Sequence, residues 1–174
     1  MRTRSSGGSV TVWGLALRSL AIFAGTLAIA ITFLLSPASR SLRTPLELFL
    51  ARTAGAFLSW FNHSVSVLDS NITVNDFSAV IIPACTGLFS TSIFLAAVLA
   101  YPSTAKSKFL GLAIGVLGIL TLNWIRIVSL LLIGAYWRPA FEFTHLVVWR
   151  SLVIFFALFL WLFWVKRFAH HAAA

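Results

Sequence analysis

Long apolar runs are the feature that most constrains how this chain folds. A membrane crossing needs about 20 mostly apolar residues, and the 174-residue chain is 60% hydrophobic and only 10% charged. A soluble domain carries about a quarter charged residues, so a soluble enzyme is excluded and the bilayer is the expected solvent. The sequence predicts an all-α integral membrane protein with four transmembrane helices, at residues 15–35, 83–100, 109–136 and 140–166.

Basic residues flank the apolar runs and set the expected topology. The chain has 13 Lys and Arg against 4 Asp and Glu, a net charge of +9. In a soluble protein this excess would suggest nucleic acid, but at the ends of membrane spans it marks the cytoplasmic side. We therefore expect no nucleic-acid partner. The residues expected inside are Arg2, Arg4, Arg18, Lys106, Lys108, Lys166 and Arg167.

Two segments between the first and second spans are expected to lie on the outer side. Residues 45–62 predict an interfacial helix on the membrane surface. A fifth crossing is the alternative, but Arg52 would then lie mid-span at a cost of about 2.5–3.5 kcal/mol. Residues 63–82 predict a short extracytoplasmic β-hairpin, because apolar and polar residues alternate around Asp69-Ser70-Asn71. An open sheet edge cannot lie among lipid tails.

A single cysteine is the first candidate for chemistry. It excludes an intrachain disulfide and any multi-cysteine metal or iron–sulfur site. Pro83 fits the first turn of a helix, so Cys85 is expected in that turn, where unpaired N–H groups favour a thiolate and can hold an oxyanion. Gly87 is expected to leave room for a substrate backbone. Taken alone, Cys85 is better explained as a small buried hydrophobic residue.

Arg126 is the second candidate, because a charge inside a span is costly and usually faces a protein interior or a watery cavity. It follows Phe109 by about 25 Å of helix at 1.5 Å per residue, which predicts the outer part of the membrane. Asn123 lies one turn earlier on the same face and is expected to orient the guanidinium. Snorkelling of the arginine to the outer headgroups is the alternative.

His145 is the third candidate, at the expected outer end of the last span. Imidazole can transfer a proton near neutral pH. Glu142, three residues earlier, is placed to hydrogen-bond to it on a helix. An interfacial histidine without a role is the alternative. Arg150, five residues later, is expected to act as a second cavity charge or a packing partner.

The three candidates share one expected depth and together form an acyl-transfer set. Cysteine can attack a peptide carbonyl, histidine can protonate the leaving amine, and arginine can stabilise the negative oxygen. The alternative is a non-enzymatic polytopic protein, a transporter subunit or assembly factor, in which Arg126 binds a ligand or partner helix. A thiol relay is a third reading, disfavoured by the lack of a second thiol.

The motifs resemble those of the exosortase/archaeosortase family of membrane transpeptidases. Ala84-Cys85-Thr86-Gly87-Leu88 resembles the family's cysteine motif, and Asn123-Trp124-Ile125-Arg126 resembles its Asn-x-x-Arg motif. His145 stands where the family places its histidine, just before the last span. The few spans before the cysteine resemble a compact subfamily such as exosortase H.

The resemblance implies a cysteine protease and transpeptidase without cofactor or metal. Cys85, Arg126 and His145 would be catalytic, with Thr86, Gly87, Asn123 and Glu142 in support. Its partners would be membrane lipid and exported proteins that carry a C-terminal motif, a transmembrane helix and a basic cluster. The protein would be integral to the inner membrane of a prokaryote, with its active site facing the periplasm or exterior. The acceptor nucleophile is left open.

Overall fold

The fold is mostly helical, with one small sheet inserted between the second and third helices. The computed structural model describes residues 7–61 and 64–169. Its α-helices are α1 (Gly7–Leu35), α2 (Arg40–Trp60), α3 (Leu88–Ala100), α4 (Ala105–Tyr136), α5 (Arg138–Phe143) and α6 (Trp149–Trp164). The strands are β1 (Val65–Leu68), β2 (Asn71–Val74) and β3 (Phe77–Val80). Residues 62 and 63, at the predicted boundary between helix and hairpin, lie outside the described residues.

Within the described residues, three helical segments are long and apolar enough to cross a membrane. They are Trp13–Leu35, Ala105–Tyr136 and Arg138–Ala169. Large apolar side chains on these segments face outward, such as Ile29, Leu117 and Phe155. Such a surface needs lipid around it, because soluble proteins rarely expose large apolar patches. These three segments are consistent with the predicted membrane protein.

The helix α3 is shorter than the predicted second span of residues 83–100. It has 13 residues, which gives about 20 Å of helix against a hydrocarbon core of about 30 Å. The helix begins late because Pro83–Cys85 form a separate 3₁₀ turn and Gly87 has a left-handed conformation, with φ of 81°. The regular helix therefore starts only after the cysteine.

The predicted hairpin is wrong in one respect, because the structure has a three-stranded antiparallel sheet in the order β1-β2-β3. Asp69 and Asn75 begin the two connecting turns with positive φ, which Asp and Asn tolerate better than other non-glycine residues. The third strand was missed since the small Ala79 weakens its alternation. Ile72 and Val74 are fully buried on one face of β2, and Thr73 hydrogen-bonds to Ser78 on the other.

The helix α2 begins five residues before the predicted interfacial helix and includes Pro45. A 3₁₀ turn at Pro37–Ser39 joins it directly to α1. The buried hydroxyl of Ser39 donates to the Leu34 carbonyl at 2.9 Å and stabilises this junction. The inner face of α2 then packs on the sheet and on α4 rather than on lipid.

Two apolar cores hold the helices together. The first joins α2, the sheet and α4, and Cys85 packs at its edge. The second joins α3, α4 and α6 at the other end of the bundle, around the fully buried Trp164. The Trp164 indole N–H donates to the Ser107 carbonyl at 2.8 Å. The first core therefore supports the end of the molecule that carries the cysteine.

Candidate active site

The candidate active site begins at the turn that carries Cys85. The Cys85 N–H donates to the Ile82 carbonyl at 2.8 Å, and the Thr86 hydroxyl donates to the Pro83 carbonyl at 2.7 Å. Cys85 therefore lies before α3, and the expectation that it occupies the helix's first turn was wrong. Its own N–H is engaged within the 3₁₀ turn. The cysteine is half-buried, whereas Thr86 is fully buried and closes the turn.

Gly87 connects the cysteine turn to α3 in a conformation that L-residues rarely adopt. A Cβ at this position would lie 3.2 Å from both Cβ and Cγ of Asn123. The space beside Gly87 is thus taken by Asn123, contrary to the expectation that it stays open for a substrate backbone. Glycine is required here by the turn and by the close approach of α4.

Asn123 connects α4 to the cysteine turn. The side chain is buried, and its Nδ2 amide donates to the carbonyl oxygen of Cys85. We had expected this amide to orient Arg126, but its observed partner is the cysteine backbone. Since Arg126 follows one helical turn later on α4, the same hydrogen bond fixes the position of the thiol relative to the guanidinium.

Arg126 is half-buried on α4 and lies within electrostatic range of Cys85 and Arg150. The guanidinium would attract the thiolate form of Cys85, whereas the two guanidinium groups repel each other. No side-chain carboxylate of the described residues is among the main charges that act on Arg126.

His145 lies in a π-helical turn, Thr144–Val148, between α5 and α6. Such turns are rare in proteins overall, and those that occur often lie at functional sites. Its ring is 5.6 Å from the Phe141 ring, centroid to centroid. His145 interacts electrostatically with Arg126, Glu142 and Arg150. The imidazole and the guanidinium thus share one electrostatic environment although they come from different helices.

Arg126 on α4 interacts electrostatically both with Cys85 in the 3₁₀ turn and with His145 in the π-helical turn. Sequence reasoning missed Phe141, whose aromatic character was a signal for ring packing beside His145. It also missed the π-helical turn, which no local pattern indicates. Among the described residues, no group of three or more His, Cys, Asp and Glu side chains is arranged to hold a metal ion.

A family model described as transmembrane exosortase matches residues 6–165. The chain belongs to the transmembrane exosortase family. This confirms the family resemblance, and it covers nearly the whole chain, including all three candidate catalytic residues. No significant match was found among curated proteins or among solved structures.

Membership sets the general role of the chain. Exosortases are transmembrane, cysteine-peptidase-like transpeptidases that act on exported proteins carrying C-terminal sorting signals. The chain is therefore an exosortase-family membrane protein, which implies a transpeptidase-like role in the membrane.

Proposed function

We propose that this exosortase uses Cys85 as nucleophile, His145 as acid and base, and Arg126 as stabiliser of negative charge. One observation carries the proposal. The half-buried guanidinium of Arg126 interacts electrostatically with the half-buried Cys85 and with His145, although the three residues lie on elements far apart in sequence. A thiol, a proton carrier and a fixed cation are the groups that acyl transfer from a peptide requires.

The proposed reaction begins when the Cys85 thiolate attacks the carbonyl carbon of the scissile peptide bond. The carbonyl oxygen becomes negative, and the Arg126 guanidinium stabilises it. Protonated His145 gives its proton to the leaving amine as the C–N bond breaks. The amino-terminal part of the substrate remains as a thioester on Cys85.

The second half returns the enzyme to its starting state. An acceptor amine, or water, attacks the thioester carbonyl, and neutral His145 takes the proton from the attacking group. The C–S bond then breaks and the thiolate leaves. Transpeptidation and hydrolysis share the thioester and differ only in the acceptor.

The supporting residues position the cysteine turn and stabilise the charged form of His145. Thr86 and Gly87 shape the cysteine turn, and Asn123 fixes it against α4. Glu142 interacts favourably with the imidazolium form of His145. In the proposed cycle, this pairing stabilises the charged histidine that precedes leaving-group departure.

The proposed topology has four crossings, formed by α1, α3 with its preceding turn, α4, and residues 138–169. The basic end of the bundle then lies in the cytoplasm. The sheet and the cysteine turn lie outside the inner membrane, where an exported substrate arrives.

A test that needs no known substrate compares exported proteins in the native host carrying either the wild-type gene or Cys85→Ala. We expect C-terminally trimmed proteins with the wild type and untrimmed forms with the variant, read by mass spectrometry. Hydroxylamine should intercept the thioester and leave a C-terminal hydroxamate on the same proteins. Normal trimming by Cys85→Ala would overturn the proposal.

Arginine variants separate catalysis from a passive role. Arg126→Lys keeps the charge but loses the planar fork, and should reduce the trimming rate by about 10²-fold, as loss of an oxyanion donor does. The matched control is Arg52→Lys on the exposed face of α2, which should trim normally. If Cys85→Ala is silent while Arg126→Ala is not, the chain is a non-enzymatic binding protein.

A further inference from the structure

A second polar site lies at the end of the bundle opposite Cys85. A cavity of about 560 Å³ opens between α1 and the α3–α4 connection. We call it the basic cavity, and its polar lining consists of Arg18, Ser19, Tyr101, Ser103, Thr104 and Lys108. None of these residues belongs to the proposed reaction. An argument about this cavity therefore does not depend on the chemistry at Cys85.

No negatively charged side chain in the lining balances the positive charges of the basic cavity. Arg18 and Lys108 are its two cations, and its lining includes no carboxylate. The four acidic side chains of the whole chain are Glu47, Asp69, Asp76 and Glu142. They lie on α2, in the sheet turns and on α5, all toward the cysteine end. Among the described residues, no side-chain carboxylate lines this cavity, so it is open to a counter-anion from outside the chain.

One cation of the basic cavity is fixed in its wall, and one hydroxyl group there lacks a partner. The Lys108 ammonium donates to the Leu99 carbonyl at 2.6 Å, which fixes it in the wall and leaves it two further donors. The Ser103 hydroxyl is buried without a hydrogen-bond partner in the described part of the chain. A buried hydroxyl without a partner is costly, so a ligand oxygen at this point would satisfy it.

The position of the basic cavity identifies the chemical class of its ligand. Arg18 lies within the apolar segment Trp13–Leu35, and Lys108 lies in the first turn of α4, so the cavity is at the depth of lipid headgroups. Leu15 and Ile22 add an apolar wall beside the cations. A guanidinium, an ammonium and a hydroxyl suit a phosphate group, and basic pockets between spans on the cytoplasmic side bind anionic headgroups.

We propose that the basic cavity binds the phosphate of an anionic phospholipid. The Arg18 fork and the Lys108 ammonium contact the phosphate oxygens, and the apolar wall covers the start of an acyl chain. A zwitterionic lipid is disfavoured because its own cationic group would approach Arg18 and Lys108. Bound lipid would join α1 to the α3–α4 connection and set the depth of the bundle in the membrane.

The test is lipid binding to the purified full-length protein, measured by native mass spectrometry. The probes are phosphatidylglycerol, phosphatidylcholine and inorganic phosphate. We expect phosphatidylglycerol to bind best and Arg18→Gln to weaken it by at least about fivefold, the effect of one basic residue at a membrane surface. Arg167→Gln is the matched control, since it removes the same charge at the same end outside the cavity, and should change binding less than about twofold.

Each other outcome is decisive. Equal weakening by Arg18→Gln and Arg167→Gln would overturn the site in favour of diffuse attraction. Displacement of phosphatidylglycerol by millimolar inorganic phosphate would overturn lipid as the source of the phosphate. A second variant, Ser19→Asp, places a carboxylate among the cations and should also weaken binding if Arg18→Gln fails to fold. Unchanged lipid binding by this variant would equally refute the proposal.

Discussion

Gly87→Ala should destabilise the protein through the cysteine turn. Its φ of 81° costs an L-residue about 1–2 kcal/mol. The new Cβ would also lie 3.2 Å from Asn123, which is buried and hydrogen-bonded to Cys85 and therefore cannot withdraw freely. Overpacking costs about 1–3 kcal/mol, and this small overlap belongs at the low end. We expect the free energy of unfolding to fall by about 2–3 kcal/mol in total.

The assay is unfolding of the full chain by SDS titration in mixed micelles. The control is Gly25→Ala in α1, where nothing lies within 4 Å of the new Cβ. It should be neutral or stabilising by up to about 1 kcal/mol, because alanine favours a helix.

A double-mutant cycle with Asn123→Ala isolates the part of the crowding that comes from Cγ of Asn123, because alanine keeps the Cβ. The double variant should be more stable than the sum of the single effects predicts, by about 0.5 kcal/mol. A Gly87→Ala variant within about 0.5 kcal/mol of the wild type would refute the reasoning. Strict additivity would refute the crowding contribution alone.

Two further predictions concern the packing of α4. Gly115→Ala places a Cβ 1.8 Å from a ring carbon of Phe94. It should lower the free energy of unfolding by about 2 kcal/mol or more in the same SDS titration. An unfolding midpoint equal to that of the wild type would contradict the close contact between α3 and α4. Trp164→Phe removes the indole N–H that donates to the Ser107 carbonyl and shrinks a fully buried side chain, and it should cost about 1–3 kcal/mol. Trp137→Phe, at an exposed position, should cost less than about 0.5 kcal/mol, and equal losses would argue against the hydrogen bond.

The candidate site was predictable in composition but not in geometry. Cys85, Arg126 and His145 stood out because reactive or charged residues are rare in apolar sequence. Such residues can be recognised from the sequence without a structure. Asn123 was recognised as important, but its partner was assigned to the neighbouring arginine. Local helical spacing favours contacts within one helix, whereas the observed bond reaches a different element 38 positions away.

The sequence by itself determined the solvent, the family and the position of the charges, because apolar runs and sparse ionisable residues act locally along the chain. Only the tertiary structure decided how the cysteine turn meets α4, that a third strand completes the sheet, and that a π-helical turn carries His145. These features depend on packing between segments that are distant in sequence. The left-handed Gly87, the buried amide of Asn123 and the core below them each require the others to be in place. The physical reason is that hydrophobic burial is nearly non-directional, so it selects the membrane, while hydrogen bonds and close packing select one arrangement within it.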